Sequence, residues 1–252
     1  MSKLKAIFFD MDGVIIDTER DGHRVAFNQT FKEFGYPFQW GVEHYGELIK
    51  ISGGKERMRH DFVSRKMDGF GPGQSDKLIQ ELHKRKTDIF ISLIESGKLP
   101  LRPGIHRFMK EAMNEGLIIG VCTTANERAA TAITKGLLAD IDFAFVFAGD
   151  VVSKKKPDPE IYLLALEKAG LPADNCLVVE DSQNGVLAAK KAGLSVLVTT
   201  NQYTENEDLS MADIIVSCLG DLNHKKAELK KASKYFPDTG EVTIANIIEY
   251  FS

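Results

Sequence analysis

The chain has 252 residues, 43% of them hydrophobic and 27% charged, with 36 acidic against 32 basic side chains and a formal net charge of -4. These ordinary globular values exclude a disordered polymer, and the acidic balance excludes a basic footprint for nucleic acid. The longest apolar runs, such as Leu117-Ile118-Ile119-Gly120-Val121, fall far short of the ~20 residues needed to span a bilayer, so no membrane span is expected.

Met1 leads into the first strand within about five residues, which leaves no room for a signal or transit peptide. The expectation is a cytoplasmic protein, or an organellar one if a leader has been removed. That strand, Lys5–Phe9, stops at Asp10-Met11-Asp12-Gly13. Residues two apart on a strand point to the same side, so both carboxylates face one small volume. Two like charges so close are costly unless a cation sits between them or one is protonated.

From about Thr18 to Lys98 no buried-strand run occurs, and the segment reads as helices. Gly22–Phe34 carries Val25, Phe27, Phe31 and Phe34 near helical spacing, and Ser75–Glu95 carries Leu78, Leu82, Ile89, Leu93 and Ile94. The stretch holds the only Trp, Trp40, and glycine-rich breaks at Gly53-Gly54 and Gly69-Phe70-Gly71-Pro72-Gly73. A helical insert is expected at 18–98, with hinges near Asp17–Arg20 and Gly97–Pro103 and a core formed by 1–17 and 99–252.

After the insert, helical patterns at Arg102–Asn114, Asn126–Leu138, Pro159–Ala169 and Gly185–Ala192 alternate with apolar runs at Leu117–Cys122, Phe143–Phe147, Cys176–Val179, Ser195–Val198 and Asp213–Val216. Nearly continuous apolar runs fit strands buried on both faces. The expected core is therefore a doubly wound, mostly parallel, Rossmann-like α/β sheet. Cys122, Cys176 and Cys218, odd in number and beside apolar runs, read as reduced, buried, small apolar residues.

In an open α/β sheet ligands bind beyond the carboxyl ends of the strands. The second core strand ends at Thr123-Thr124-Ala125-Asn126, which serves either as a helix cap or as an anion site. The third leads through Gly149-Asp150 to Lys154-Lys155-Lys156-Pro157-Asp158-Pro159. Lys154 and Lys155 read as solvated surface, whereas the prolines after Lys156 stiffen the backbone and aim one ammonium. The fourth ends in Glu180-Asp181-Ser182, where a capping role explains one acid but not both. Hard oxygen donors without clustered His or Cys select Mg²⁺ over zinc, and the combination suits phosphoryl transfer.

Asp10-Met11-Asp12-Gly13, Thr123, Lys156-Pro157 and Glu180-Asp181, in this order, resemble the four signatures of the haloacid dehalogenase superfamily of Mg²⁺-dependent phosphatases. The insert resembles that of its helical-cap members. Asp17-Thr18-Glu19, His23-Arg24-Val25-Ala26-Phe27-Asn28, Tyr45-Gly46-Glu47-Leu48, Gly53-Gly54-Lys55-Glu56-Arg57 and Leu99-Pro100-Leu101-Arg102-Pro103-Gly104 are most similar to the CbbY-type sugar-bisphosphate phosphatases. One departure stands out: Arg20-Asp21-Gly22 is one residue longer than the spacing common in related capped enzymes, with Gly22 available for a bulge or a late helix start.

The resemblance implies hydrolysis of xylulose-1,5-bisphosphate by a monomer, with Asp10 as nucleophile forming an aspartyl-phosphate and Asp12 as acid and base. It implies a Mg²⁺ ion held by Asp10, the Asp12 carbonyl and Asp181, with Glu180 ligating or nearby. It also implies that Thr123, the backbone of Thr124, Ala125 and Asn126, and Lys156 hold phosphoryl oxygens. In the insert, Gly54, Lys55, Arg57 and Lys86 are candidates for a second phosphate, and Glu19, His23 and Tyr45 for sugar hydroxyls. Same-fold alternatives are a β-phosphoglucomutase-like sugar phosphomutase and a phosphoglycolate-type phosphatase; a binding protein on the same scaffold is the alternative outside enzymes.

Overall fold

β1 (Ala6–Phe9) is an inner strand of a seven-stranded sheet, pairing in parallel with β2 (Ile118–Cys122) on one side and β4 (Cys176–Glu180) on the other. The structure is a computed structural model and describes residues 3–51, 53–67, 70, 76–97, 99–149 and 151–252. Ser75, Lys98, Asp150 and all of the Gly69–Gly73 break except Phe70 lie outside the described residues. The strand order is β3-β2-β1-β4-β5-β6-β7, with β3 at Phe145–Phe147, β5 at Ser195–Thr199, β6 at Ile214–Val216 and β7 at Leu229–Ala232. All pairings are parallel except β6 with β7.

The chain divides into two compact units, Met1–Asp17 with Pro100–Ser252 and Thr18–Leu99. In the first, the expected strands are present, each within two residues of the apolar run that announced it. Ala6, Phe8, Val178, Val196 and Val198 from the centre of the sheet are buried against Ile161, Tyr162, Val186 and Ala189 of the helices. Moving outward along the chain from β1, the strand order reverses between β2–β3 and β4–β5. The carboxyl ends of β1, β2 and β4 therefore share one crevice.

Several helices differ from expectation in length, for local reasons. The first helix of this unit starts at Ile105 rather than Arg102, because the Arg102 N–H bonds the Ile15 carbonyl and Gly104 takes a left-handed φ of 83°. The expected Asn126–Leu138 helix is an α-helix over Glu127–Ala132 followed by a π-helical turn over Ile133–Leu137. β7, Leu-Lys-Lys-Ala, has no apolar run to announce it, and a last helix at Ile244–Tyr250 is opened by a capping box between Thr243 and Asn246.

The second unit is helical. In chain order its helices are α1 (Arg24–Glu33), α2 (Val42–Leu48), α3 (Gly54–Ser64) and α4 (Asp76–Glu95). Phe27, Phe31, Trp40, Tyr45 and Phe62 are buried together, with ring centroids of neighbouring pairs 4.7–6.2 Å apart. The carboxylate buried beside them, Asp61, accepts from Trp40 Nε1 at 2.7 Å, His44 Nε2 at 2.8 Å and Arg65 Nε at 2.6 Å. Arg20-Asp21-Gly22 lies in a π-helical turn over Thr18–His23, which winds wider than an α-helix. Gly22 is required there for close approach, since a Cβ would lie 2.6 Å from the Phe90 ring of α4.

Among the described residues, no helix is long and apolar enough to cross a membrane. All three cysteines are buried and free.

Candidate active site

The Asp10 N–H bonds the Val179 carbonyl at 2.9 Å, which carries the β1–β4 ladder one step past the strand and fixes the aspartate in the crevice. Asp10, Glu180 and Asp181 are 7%, 1% and 6% exposed, and each offers a carboxylate oxygen within 4.8 Å of the others. Asp12 is half-buried and its side chain stands outside that trio. Lys156 reaches in from the loop after β3 and donates to Asp10 Oδ1 at 2.5 Å, Glu180 Oε1 at 2.6 Å and the Cys122 carbonyl at 3.0 Å. Lys154 and Lys155 are exposed.

The charges do not balance. Burial pushes the Asp10 carboxyl up to about 8, with Lys156 opposing the shift and Glu180 and Asp12 adding to it. Asp181 is likewise raised by burial, Glu180 and Asp10, against the pull of Arg102 and Asn201. For Lys156, burial alone would lower the ammonium, but Asp10 and Glu180 reverse that and hold it above its usual range. A group of buried, oxygen-only donors with more negative charge than its single lysine offsets fits a divalent hard cation such as Mg²⁺.

The loop after β2 contains both cap and donor. Asn126 Oδ1 accepts from the Arg128 N–H at 2.9 Å and caps the following helix, and Thr123 Oγ1 takes the Ala125 N–H at 3.0 Å. The Ala125 amide is thus already used. The Thr124 N–H has no hydrogen-bond partner among the described residues, leaving it as an open donor at the strand end.

Several residues at the site were not anticipated in their roles. Tyr162 on α7 (Glu160–Ala169; α5 and α6 being Ile105–Asn114 and Glu127–Ala132) donates its hydroxyl to Glu180 Oε1 at 2.6 Å. Asn201, just past β5, donates to Asp181 Oδ2 at 2.6 Å; no expectation fell on it, although applying the strand-end rule to the fifth strand would have found that position. Arg102 donates to the carbonyls of Gly13, Thr200 at 2.7 Å and Ser217 at 3.1 Å, tying the loop after β1 to the ends of β5 and β6. Gly185, on α8 (Gln183–Lys191), lies under the Glu180 carboxylate; a Cβ there would come within 1.9–2.1 Å of its carbon and oxygens.

The candidates in the helical unit fall into two groups. Tyr45 donates to Glu19 and accepts from Arg57 Nη1 at 2.6 Å, while Arg57 also approaches Glu19 at 3.5 Å. Arg57 is 8% exposed and its Nε is a buried donor without a partner. Lys86, 6% exposed, donates to His23 Nδ1 at 2.9 Å and lies over the Phe27 and Phe90 rings. Burial, followed by Lys86 and Arg57, holds His23 well below its usual range, and burial with Lys86 and Lys55 brings His83 down to about 4. Lys86 is therefore no solvated surface charge, whereas Lys55 is exposed. Gly54 opens α3, and a Cβ there would lie 2.9 Å from His83 Nε2.

A haloacid dehalogenase-like hydrolase model matches residues 4–193. The chain is 46% identical over 229 residues to a CBBY-like protein of Arabidopsis thaliana, covering 89% of this chain and 72% of the relative. It is 41% identical to protein CbbY of Rhodobacter capsulatus, covering 84% and 92% respectively. A crystal structure of a CbbY mutant from Rhodobacter sphaeroides in complex with xylulose-(1,5)bisphosphate superposes with a TM-score of 0.71 at 36% identity, covering 87% of this chain and 98% of that one. With an acidic trio and one lysine gathered where β1, β2 and β4 end, the chain belongs to the haloacid dehalogenase-like hydrolases, among the CbbY-like proteins, and is a phosphoric monoester hydrolase.

Proposed function

We propose that the chain hydrolyses a sugar bisphosphate, xylulose-1,5-bisphosphate foremost, through an aspartyl-phosphate on Asp10. The observation that carries the reading is the Asp10 carboxylate at the carboxyl end of β1, paired with Lys156 at 2.5 Å and grouped with Glu180 and Asp181. The complex of a 36% identical relative with that sugar bisphosphate supports the choice of substrate.

In this mechanism an Asp10 oxygen forms a bond to phosphorus as the bond to the sugar oxygen breaks, and Asp12 gives its proton to the departing alkoxide. Asp12 then takes a proton from water as that water attacks phosphorus, which frees Asp10 and inorganic phosphate. Lys156 and the Thr124 N–H stabilise the non-bridging oxygens. Mg²⁺, when held by Asp10, Asp181 and the Asp12 carbonyl beside Glu180, supplies charge neutralisation for the phosphoryl group. Within the helical unit, Arg57 with its unpartnered Nε and the buried Lys86 support recognition of a second anionic group. Glu19, His23 and Tyr45 hold those two cations in place and present polar atoms to hydroxyls.

A phosphate-release assay over sugar mono- and bisphosphates, including xylulose-1,5-bisphosphate and ribulose-1,5-bisphosphate, tests the substrate. Turnover is expected to be highest on a bisphosphate and to need no bisphosphate activator; activity confined to monophosphates would refute the assignment while leaving the chemistry in place. Adding EDTA is expected to stop phosphate release and excess Mg²⁺ to restore it. Unchanged turnover in EDTA would remove the metal from the mechanism.

A further inference from the structure

Glu180 and Asp181 are neighbours in sequence, both buried at the end of β4, yet the protein surrounds them unequally. Glu180 is saturated. Its Oε1 accepts from Lys156 Nζ at 2.6 Å and from the Tyr162 hydroxyl at 2.6 Å, while its Oε2 accepts from the Asp181 N–H at 3.1 Å and faces Ser182 Oγ at 3.5 Å. A carboxylate has about four lone-pair sites, and the protein addresses all of them. Among the described residues Asp181 meets a single side-chain donor, Asn201 Nδ2, at 2.6 Å on Oδ2.

The two outer donors are themselves fixed. Tyr162 is fully buried in the core beside Cys122 and Val178, with its ring 5.0 Å from Lys156 Nζ, so its hydroxyl has one direction to point. Asn201 Oδ1 accepts from the Tyr203 N–H at 2.8 Å and the Thr204 N–H at 3.1 Å, which turns the amide NH₂ towards Asp181. Gly13 closes the other side, since a Cβ there would lie 2.1 Å from Asp181 Oδ2 and 2.8 Å from Asn201 Nδ2.

We propose that Tyr162 and Asn201 are positioning residues that divide the paired acids between two tasks: Tyr162 fixes Glu180 as the partner of Lys156, and Asn201 fixes Asp181 as the carboxylate that meets the divalent cation. The division rests on the Mg²⁺ reading above. It assigns Glu180 chiefly to the ammonium, and it makes the orientation of one amide a determinant of cation affinity.

Tyr162→Phe, which keeps the ring and its place over Lys156, and Asn201→Ala separate the two tasks. The readouts are the Mg²⁺ and Mn²⁺ dissociation constants from calorimetry, kcat and KM at saturating Mg²⁺, and thermal melting to confirm folding. Asn201→Ala is expected to weaken cation binding about tenfold or more, with kcat restored to within about threefold of the parent at saturating Mg²⁺. Tyr162→Phe is expected to leave cation affinity within about twofold and to lower kcat about tenfold at every Mg²⁺ concentration, with KM held. Asn201→Ser, which returns a short donor, should recover part of the lost affinity.

Equal loss of cation affinity in Tyr162→Phe and Asn201→Ala would overturn the division, as would unaltered affinity in Asn201→Ala or an unaltered kcat in Tyr162→Phe. If the parent chain itself binds no divalent cation, the Mg²⁺ reading fails and the Asn201 assignment falls with it, while kcat still judges Tyr162.

Discussion

Asp10→Asn is expected to lower phosphate release by about 10⁴-fold or more while leaving the protein folded, with a melting temperature equal to or above that of the parent. The amide keeps the shape of the side chain and removes the oxygen anion proposed as nucleophile. Stability is not the casualty, because burial already disfavours the charged carboxylate and pushes it up to about 8. A neutral isostere escapes that desolvation cost. Lys156 keeps Glu180 and the Cys122 carbonyl as acceptors, so no buried ammonium is left without partners. Phosphate release and a thermal melt on the same preparation check both halves. A variant that keeps more than about 1% of parental turnover would show that Asp10 is not the nucleophile.

Gly185→Ala is the second large effect, and its sign runs against helix propensity. Alanine in a helix interior is ordinarily favoured over glycine by about 1 kcal/mol. At this position the added methyl would stand 1.9–2.1 Å from the Glu180 carboxylate carbon and oxygens. That carboxylate cannot retreat cheaply, since Lys156, Tyr162 and the Asp181 N–H all hold it. Either α8 shifts or Glu180 releases the lysine, and a displacement of about 1 Å at a reacting centre costs about 10²-fold in rate. The expected outcome is a fall in kcat of that order together with a lowered melting temperature from overpacking. Gly136→Ala is the control, because a Cβ there meets nothing within 4 Å. Parental kcat in Gly185→Ala would show that the exact seat of Glu180 does not matter.

The parts of the molecule that were legible in the sequence are those in which neighbours in space are also close in the chain, or in which a buried strand writes a continuous apolar run. β1, β2, β4 and β5 do this, and the residues that end or follow three of them, Asp10, Thr123 and Glu180-Asp181, lie in the crevice. Lys156 could be singled out from its lysine neighbours because the prolines after it stiffen the loop. β7 was illegible because an edge strand facing water through Lys230 carries no apolar run. Tyr162 and Gly185 were illegible for another reason: their importance lies in where the tip of Glu180 rests, a tertiary fact that neither helical periodicity nor glycine content encodes. In the helical unit, Lys55 and Lys86 are candidates alike from sequence, and burial separates them, because exposure of a lysine on a helix depends on which aromatic rings its stem crosses.

The three protons of Lys156 each have an acceptor within the protein. In the proposed mechanism a phosphoryl oxygen that draws on this ammonium must therefore be traded for an existing contact, and the exchangeable one is the carboxylate proposed as nucleophile. Arrival of the ester is a swap of anions around a constant cation, with little gain in hydrogen bonds for the resting substrate. The same swap runs backwards when inorganic phosphate departs and Asp10 returns to the ammonium. On the proposed mechanism such a site holds reactant and product loosely and reserves its strongest attraction for the moment when charge is shared between Asp10 and the migrating group.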